Sequence, residues 1–184
     1  MKKILIRLAS LTVFMIVSSF LLKAEIRLPS IFGDNMVLQQ QANVAIWGKA
    51  ANNASVSIKT SWNGKTYTTR AGQDGKWRLK VSTPSAGGPY TLTVSDGKAL
   101  TLKNVMIGEV WICSGQSNME MPMKGYRNQP IIGSNELIAT SSNNSIRLIT
   151  VPRGTSLIPV DDFNSTWKLC EPENVAEFSA TAYF

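Results

Sequence analysis

Gly108-Glu109-Val110-Trp111-Ile112-Cys113-Ser114-Gly115-Gln116-Ser117-Asn118-Met119-Glu120 is the stretch on which the fold turns. Val110 to Cys113 is a continuous apolar run, as expected of a strand covered on both faces. A tight turn follows, from Ser114 to Asn118. Met119, Glu120 and Met121 then open a helix that Pro122 limits. Strand, turn and helix start, in that order, predict the opening of an α/β domain.

Before this stretch the pattern is different. From Glu25 to about Lys103 every signal is strand or turn. Val44 and Ile46, Val56 and Ile58, Trp77, Leu79 and Val81, and Tyr90, Leu92 and Val94 alternate with small or polar neighbours. A period of two buries one face and wets the other. Asn63-Gly64, Asp74-Gly75 and Asp96-Gly97 stand between the runs, and such pairs tolerate the positive φ of tight hairpin turns. Short strands at this spacing predict an antiparallel β-sandwich over 25–104. Trp47, Trp77 and Trp111 are expected in the core, and Trp62, beside a turn, on the surface.

After the stretch, 124–145 reads as a polar excursion with one short helix near Asn135 to Thr140. Ile146 to Val151 reads as a second strand, and Val175 to Phe184 as a helix with Val175, Phe178 and Ala182 on one face. The chain is thus expected to carry an N-terminal β-sandwich over 25–104 and, over 105–184, the incomplete start of an α/β domain. An α/β sheet ending there would leave apolar surface and strand edges uncovered.

The first 24 residues read as an export signal. Lys2 and Lys3 supply the positive start, Leu8 to Leu22 the apolar segment, and Ala24 the small residue at the cleavage point. The apolar run is short for a span of about 20 residues. The expected product is exported to a periplasm or the exterior and is not membrane-bound after cleavage; an uncleaved tether is the alternative.

Composition narrows the chemistry. The chain has 184 residues, 43% hydrophobic and 17% charged, as in globular proteins. Its net charge is +7, but Lys2, Lys3, Arg7 and Lys23 lie in the signal, and the remainder carries +3. No basic stripe interleaved with aromatics is visible along the chain, which argues against nucleic acid. There is no histidine, so a Ser-His pair cannot be completed within these residues. With two cysteines, Cys113 and Cys170, a zinc site of the usual His/Cys type is disfavoured, and no metal or organic cofactor is implied. Cys113 reads as a small buried hydrophobe or as a disulfide partner of Cys170.

Ser117 has two readings. It is a helix N-cap, or it is a nucleophile set at the end of a buried strand, where α/β enzymes place their sites. Gln116 and Asn118 either shape that site or stabilise the turn. The Gly-x-Ser-x-Gly elbow is absent, because Met119 stands at the second Gly position.

The block Gly108 to Glu120 resembles the nucleophile block of the sialate O-acetylesterase family, within the SGNH (GDSL-like) hydrolases. Phe32-Gly33-Asp34-Asn35-Met36-Val37-Leu38-Gln39, Ile46-Trp47-Gly48, Gly75-Lys76-Trp77 and Ala86-Gly87-Gly88-Pro89-Tyr90 resemble that family's N-terminal β-domain, and Phe178 to Phe184 resembles its following helix. The resemblance implies an SGNH-type α/β/α hydrolase domain from residue 105 onward. It implies Ser117 as the catalytic nucleophile, attacking the acetyl carbonyl of an O-acetylated sugar. The oxyanion-hole Gly and Asn and the Asp-x-x-His base of the family find no match in these residues, so this chain alone is expected to be inactive. A non-catalytic exported β-sandwich that binds carbohydrate or serves as a spacer, and a remnant that folds poorly, are the other readings.

Overall fold

The computed structural model describes residues 25–184; the export signal read over 1–24 lies outside them. Among the described residues nine strands form, in the order β1 (Val37–Gln39), β2 (Asn43–Lys49), β3 (Ser55–Thr60), β4 (Thr66–Arg70), β5 (Lys76–Ser82), β6 (Gly87–Ser95), β7 (Ala99–Gly108), β8 (Asn143–Leu148) and β9 (Lys168–Cys170). The helices are short: a 3₁₀ turn at Ser117–Glu120, α1 (Ser134–Ala139), α2 (Pro172–Glu177) and α3 (Ala180–Tyr183). Among the described residues no helix is long and apolar enough to cross a membrane.

The alternating runs become strands, and their apolar members turn inward. Ile46, Val56, Ile58, Trp77, Val81, Leu92 and Val94 are buried, while Val44, Leu79 and Tyr90 are partly so. β3, β4, β6 and β7 join β1 in a five-stranded sheet of order β1-β7-β6-β3-β4, and β2 pairs with β5 alone. The inner faces of both sheets feed one cluster of fifteen buried hydrophobics. Burying each large side chain contributes about 1.5–3 kcal/mol, so this cluster is the main source of stability.

Three details depart from the sequence reading. The five-stranded sheet is mixed, because β1 runs parallel to β7, pairing Val37 with Met106 and Gln39 with Gly108. A three-residue strand reached by a long excursion has no hairpin to dictate its direction. Asp74-Gly75 makes a turn with Gly75 at φ 75°, but it carries the chain from one sheet to the other rather than closing a hairpin. Trp62 packs against the core and donates from Nε1 to the Ser82 carbonyl at 2.9 Å, so its place beside a turn does not expose it.

The larger departures follow Gly108. Val110 to Cys113 joins no strand. Trp111 is 84% and Ile112 92% exposed, and Cys113 is an exposed free thiol. An apolar run becomes a covered strand only where flanking strands and helices cover it, and none does so among the described residues. Cys170 is a buried free thiol, 3.0 Å from the Ser141 carbonyl. The predicted strand 146–151 sits earlier, as β8, paired with β9. The predicted helix 175–184 is two helices, because Phe178 has an extended backbone between them, and Val175 and Ala180 are the buried members.

Candidate functional site

The path into the candidate site begins at the end of β7. Glu109 accepts from Gln39 Nε2 at 3.0 Å and from Gln40 Nε2 at 2.6 Å, and the Val110 N–H donates to Gln39 Oε1 at 3.0 Å. The two amide donors hold the Glu109 carboxyl below the usual carboxylate range, Gln39 contributing most. Gln39, the last residue of β1, and Gln40 beside it therefore fix the direction in which the chain leaves the five-stranded sheet.

The turn itself is tight for a steric reason. A Cβ at Gly115 would lie 2.7 Å from Met119 Cγ, so glycine lets the backbone fold onto the methionine. Gln116 occupies the cap position, its carbonyl accepting from the Met119 N–H at 2.9 Å. Ser117 is the first residue of the 3₁₀ turn and is exposed. No side chain caps this turn. The N-cap reading of Ser117 is therefore not what the structure holds: Gln116 has the cap position, and the serine hydroxyl does no capping.

The last helices brace the turn from behind. The Ala180 N–H donates to Met121 O at 2.9 Å, and Thr181 Oγ1 donates to Asn118 O at 3.1 Å. Met123 N–H donates to Phe178 O at 2.8 Å and Lys124 N–H to Ala176 O at 3.0 Å. Met123, fully buried, joins Leu148, Cys170, Val175 and Ala180 in a second, smaller core. Glu120 is paired with Arg153, and its carbonyl accepts from Tyr126 Oη at 3.1 Å. Residues far along the chain thus hold the segment after Ser117, and no local pattern announces them.

The structure keeps Gln116, Ser117 and Asn118 together on one exposed turn. It brings no second titratable group to the Ser117 hydroxyl through any hydrogen bond or ion pair described above. Among the described residues no cluster of histidine, cysteine, aspartate or glutamate could hold a metal ion. The Tyr183 hydroxyl is 3.8 Å from the Cys170 thiol, and burial first, then that contact, pushes the phenol up. The pair lies behind the brace.

Comparison with known proteins gives the geometry a context. No protein-family profile matches the chain. It is 31% identical over 135 residues to the sialate O-acetylesterase of Rattus norvegicus, covering 68% of this chain and 24% of that protein. It is 28% identical to the human sialate O-acetylesterase over the same length, covering 25% of it. The fold matches the crystal structure of a carbohydrate acetylesterase from Xanthomonas citri with a TM-score of 0.78 and 31% identity, over 86% of this chain and 35% of that one. The chain spans about a quarter of the length of the curated relatives it matches. Over that shared part, the chain belongs to the sialate O-acetylesterase family.

Proposed function

We propose that these residues form part of an exported serine esterase that removes O-acetyl groups from sugars, with Ser117 as its nucleophile. The observation that carries the reading is the placement of Ser117: exposed, first in a braced helical turn, with its hydroxyl unspent on capping. The likeness to sialate and carbohydrate acetylesterases supports it. In this reading 25–104 is a β-sandwich and 105–184 opens an SGNH-type hydrolase domain, with Gln116 and Asn118 lining its entrance.

Ser117 Oγ would add to the acetyl carbonyl, and its own N–H would help hold the developing oxyanion. Collapse of the intermediate breaks the ester bond. The acetyl group stays on Ser117 and the proton goes to the departing sugar oxygen. Water then adds to the acetyl-serine, releasing acetate and restoring the hydroxyl. Both steps need a base to take the proton, and these 184 residues contain no histidine. In this reading the base is a histidine supplied from outside these residues, and the chain by itself is expected to hydrolyse no acetyl ester at a useful rate.

The test starts with the coding DNA beyond the Phe184 codon. A frame continuing into an Asp-x-x-His block is expressed whole and assayed for acetate release from an O-acetylated sugar. Ser117→Ala is expected to lower kcat by at least about a thousandfold; an unchanged rate sinks the assignment. A stop codon directly after Phe184 favours the second reading, a non-catalytic β-sandwich module that binds carbohydrate or spaces other parts. The fifteen buried residues of the main cluster all lie in 25–108, which supports that alternative.

A further inference from the structure

A cleft of about 940 Å³ lies on the outer face of the β2–β5 pair, far along the chain from Ser117. Its size suits a sugar or a small oligosaccharide. Alternation sends Trp47 and Lys49 of β2 outward with Lys76 and Arg78 of β5. The register sets Lys49 directly opposite Lys76, and Trp47 opposite Arg78. Arg27 joins them, because its backbone bridges to Lys49 in both directions, at 2.9 and 2.8 Å. Four cations and an indole thus meet on one concave face, although they are scattered along the chain and form no stripe in the sequence.

Like charges directly opposite one another in a sheet are unfavourable. Here a carboxylate relieves them. Asp161 crosses the cleft and accepts from Lys76 Nζ at 2.9 Å. That hydrogen bond, with the charge of Lys76 and a smaller contribution from Lys49, holds the Asp161 carboxyl low. Asp162, beside it, is already used: it accepts from the N–H groups of Ser30 at 2.7 Å and Phe163 at 2.8 Å. Among the described residues neither Arg27 nor Arg78 has an ion-pair partner. Both lysine and carboxylate of the Asp161 pair are more than half exposed, so exchanging the carboxylate for another is inexpensive. Trp47 is held edge-on against Phe32, ring centroids 4.6 Å apart at 82°, and gives the cleft a rigid aromatic wall.

We propose that this cleft binds a carboxylated sugar, the carboxylate taking the place of Asp161 between Lys49 and Lys76 while the ring lies against Trp47. The free guanidinium of Arg78, opposite Trp47, is placed to take a second oxygen of the ligand. Asp161 is then a built-in competitor that keeps the cations neutralised when no ligand is present. The sugar class rests on the carbohydrate reading made above; the anion class rests on the cleft alone.

The experiment is a titration of the full chain, by calorimetry and tryptophan fluorescence. Its probes are N-acetylneuraminic acid and trigalacturonic acid, with N-acetylmannosamine, xylotriose, sodium sulfate and a single-stranded oligonucleotide as controls. Saturable binding of either acid, absent for the neutral sugars, is expected, and which acid binds identifies the source of the carboxylate. Lys76→Gln and Arg78→Gln should each weaken it about tenfold, and Asp161→Asn should tighten it about threefold or more. Trp47→Ala should leave the acids binding no better than sulfate; should that variant fail to fold, the Arg78→Gln result decides. Equal binding of neutral sugars, sulfate as tight as the acids in the unaltered chain, tighter binding of the oligonucleotide, no saturable binding, or no gain from Asp161→Asn would each overturn the proposal. No acetyl ester or acetate is involved, so failure here leaves the Ser117 assignment standing, and failure of acetate release leaves this binding result intact.

Discussion

Residues 25–108 and 109–184 share one chain and differ sharply in how they satisfy their apolar side chains. The first region buries fifteen hydrophobics in a single cluster, the second five. Of the large hydrophobics left exposed, only Leu100 belongs to the first region; Trp111, Ile112, Ile132, Leu157 and Ile158 are among those in the second. Apart from β1, whose partner β7 lies some seventy residues away, strands of the first region pair within a few tens of residues, and the buried core they form lies wholly in 25–108, with Trp167 of the second region packed against it. The second region has one two-stranded sheet and three short helices, and its order around Ser117 comes from backbone hydrogen bonds between distant segments. A large, locally closed core confers autonomy, whereas a site held by sparse long-range bonds depends on whatever else packs against it.

Hydrogen exchange gives the widest test of this contrast. Amides of β3 and β6, at Ile58 and Val94, should exchange at least about a hundredfold more slowly than those of β8 and α2. Equal protection would break the comparison. Core truncation comes next: Ile58→Ala should cost about 2–5 kcal/mol in denaturant unfolding, and Val175→Ala about 2 kcal/mol with its loss confined to the second region. A single shared transition shifted by both would show that the regions fold as one.

Glycines sharpen the comparison at smaller scale. A Cβ at Gly48 would collide with the Arg27 carbonyl and crowd Trp77 Cζ2 at 3.1 Å. Gly48→Ala should therefore lower stability by about 1–3 kcal/mol. A Cβ at Gly154 meets nothing within 4 Å, so Gly154→Ala should change stability little or raise it by about 0.4–1 kcal/mol. Thermal melts of the two variants moving by the same amount would contradict the packing difference.

The smallest effect is electrostatic. Both Glu109 and Asp161 have carboxyls held below their ordinary range, by Gln39 and Gln40 and by Lys76 respectively. A depressed acid stabilises the fold above its unfolded pKa, and that contribution is lost as pH falls through the folded value. The junction and the Asp161 contact should thus persist at neutral pH and loosen only below about pH 4. Carboxyl chemical shifts followed against pH should show midpoints below those of free Asp and Glu; ordinary or raised midpoints would remove these contacts from the account.

Much of the first region was legible because its signals are local. Period-two alternation located the inward faces of β2, β3, β5 and β6, and Asn63-Gly64 and Asp96-Gly97 marked the turns, with Gly64 at φ 67° and Gly97 at φ 120°. The parallel pairing of β1 was not legible, since direction depends on a partner some seventy residues away. At the site, Gln116, Ser117 and Asn118 stood out by their block, and the turn is where they predicted. Val110 to Cys113 misled because apolar content specifies a demand for cover and not its source. Glu120 with Arg153, and Thr181 on Asn118, carried no sequence signal; only the folded backbone brings them together.

The clamp of Glu109 between Gln39 and Gln40 has a practical meaning for anyone building chimaeras. It works as a keyed coupling: three polar side chains on two segments steer the chain as it leaves β7. A β region transplanted onto another esterase would have to bring its two glutamines and meet a glutamate at the first position of the exit. If any of the three is missing, the graft keeps its core and loses its aim.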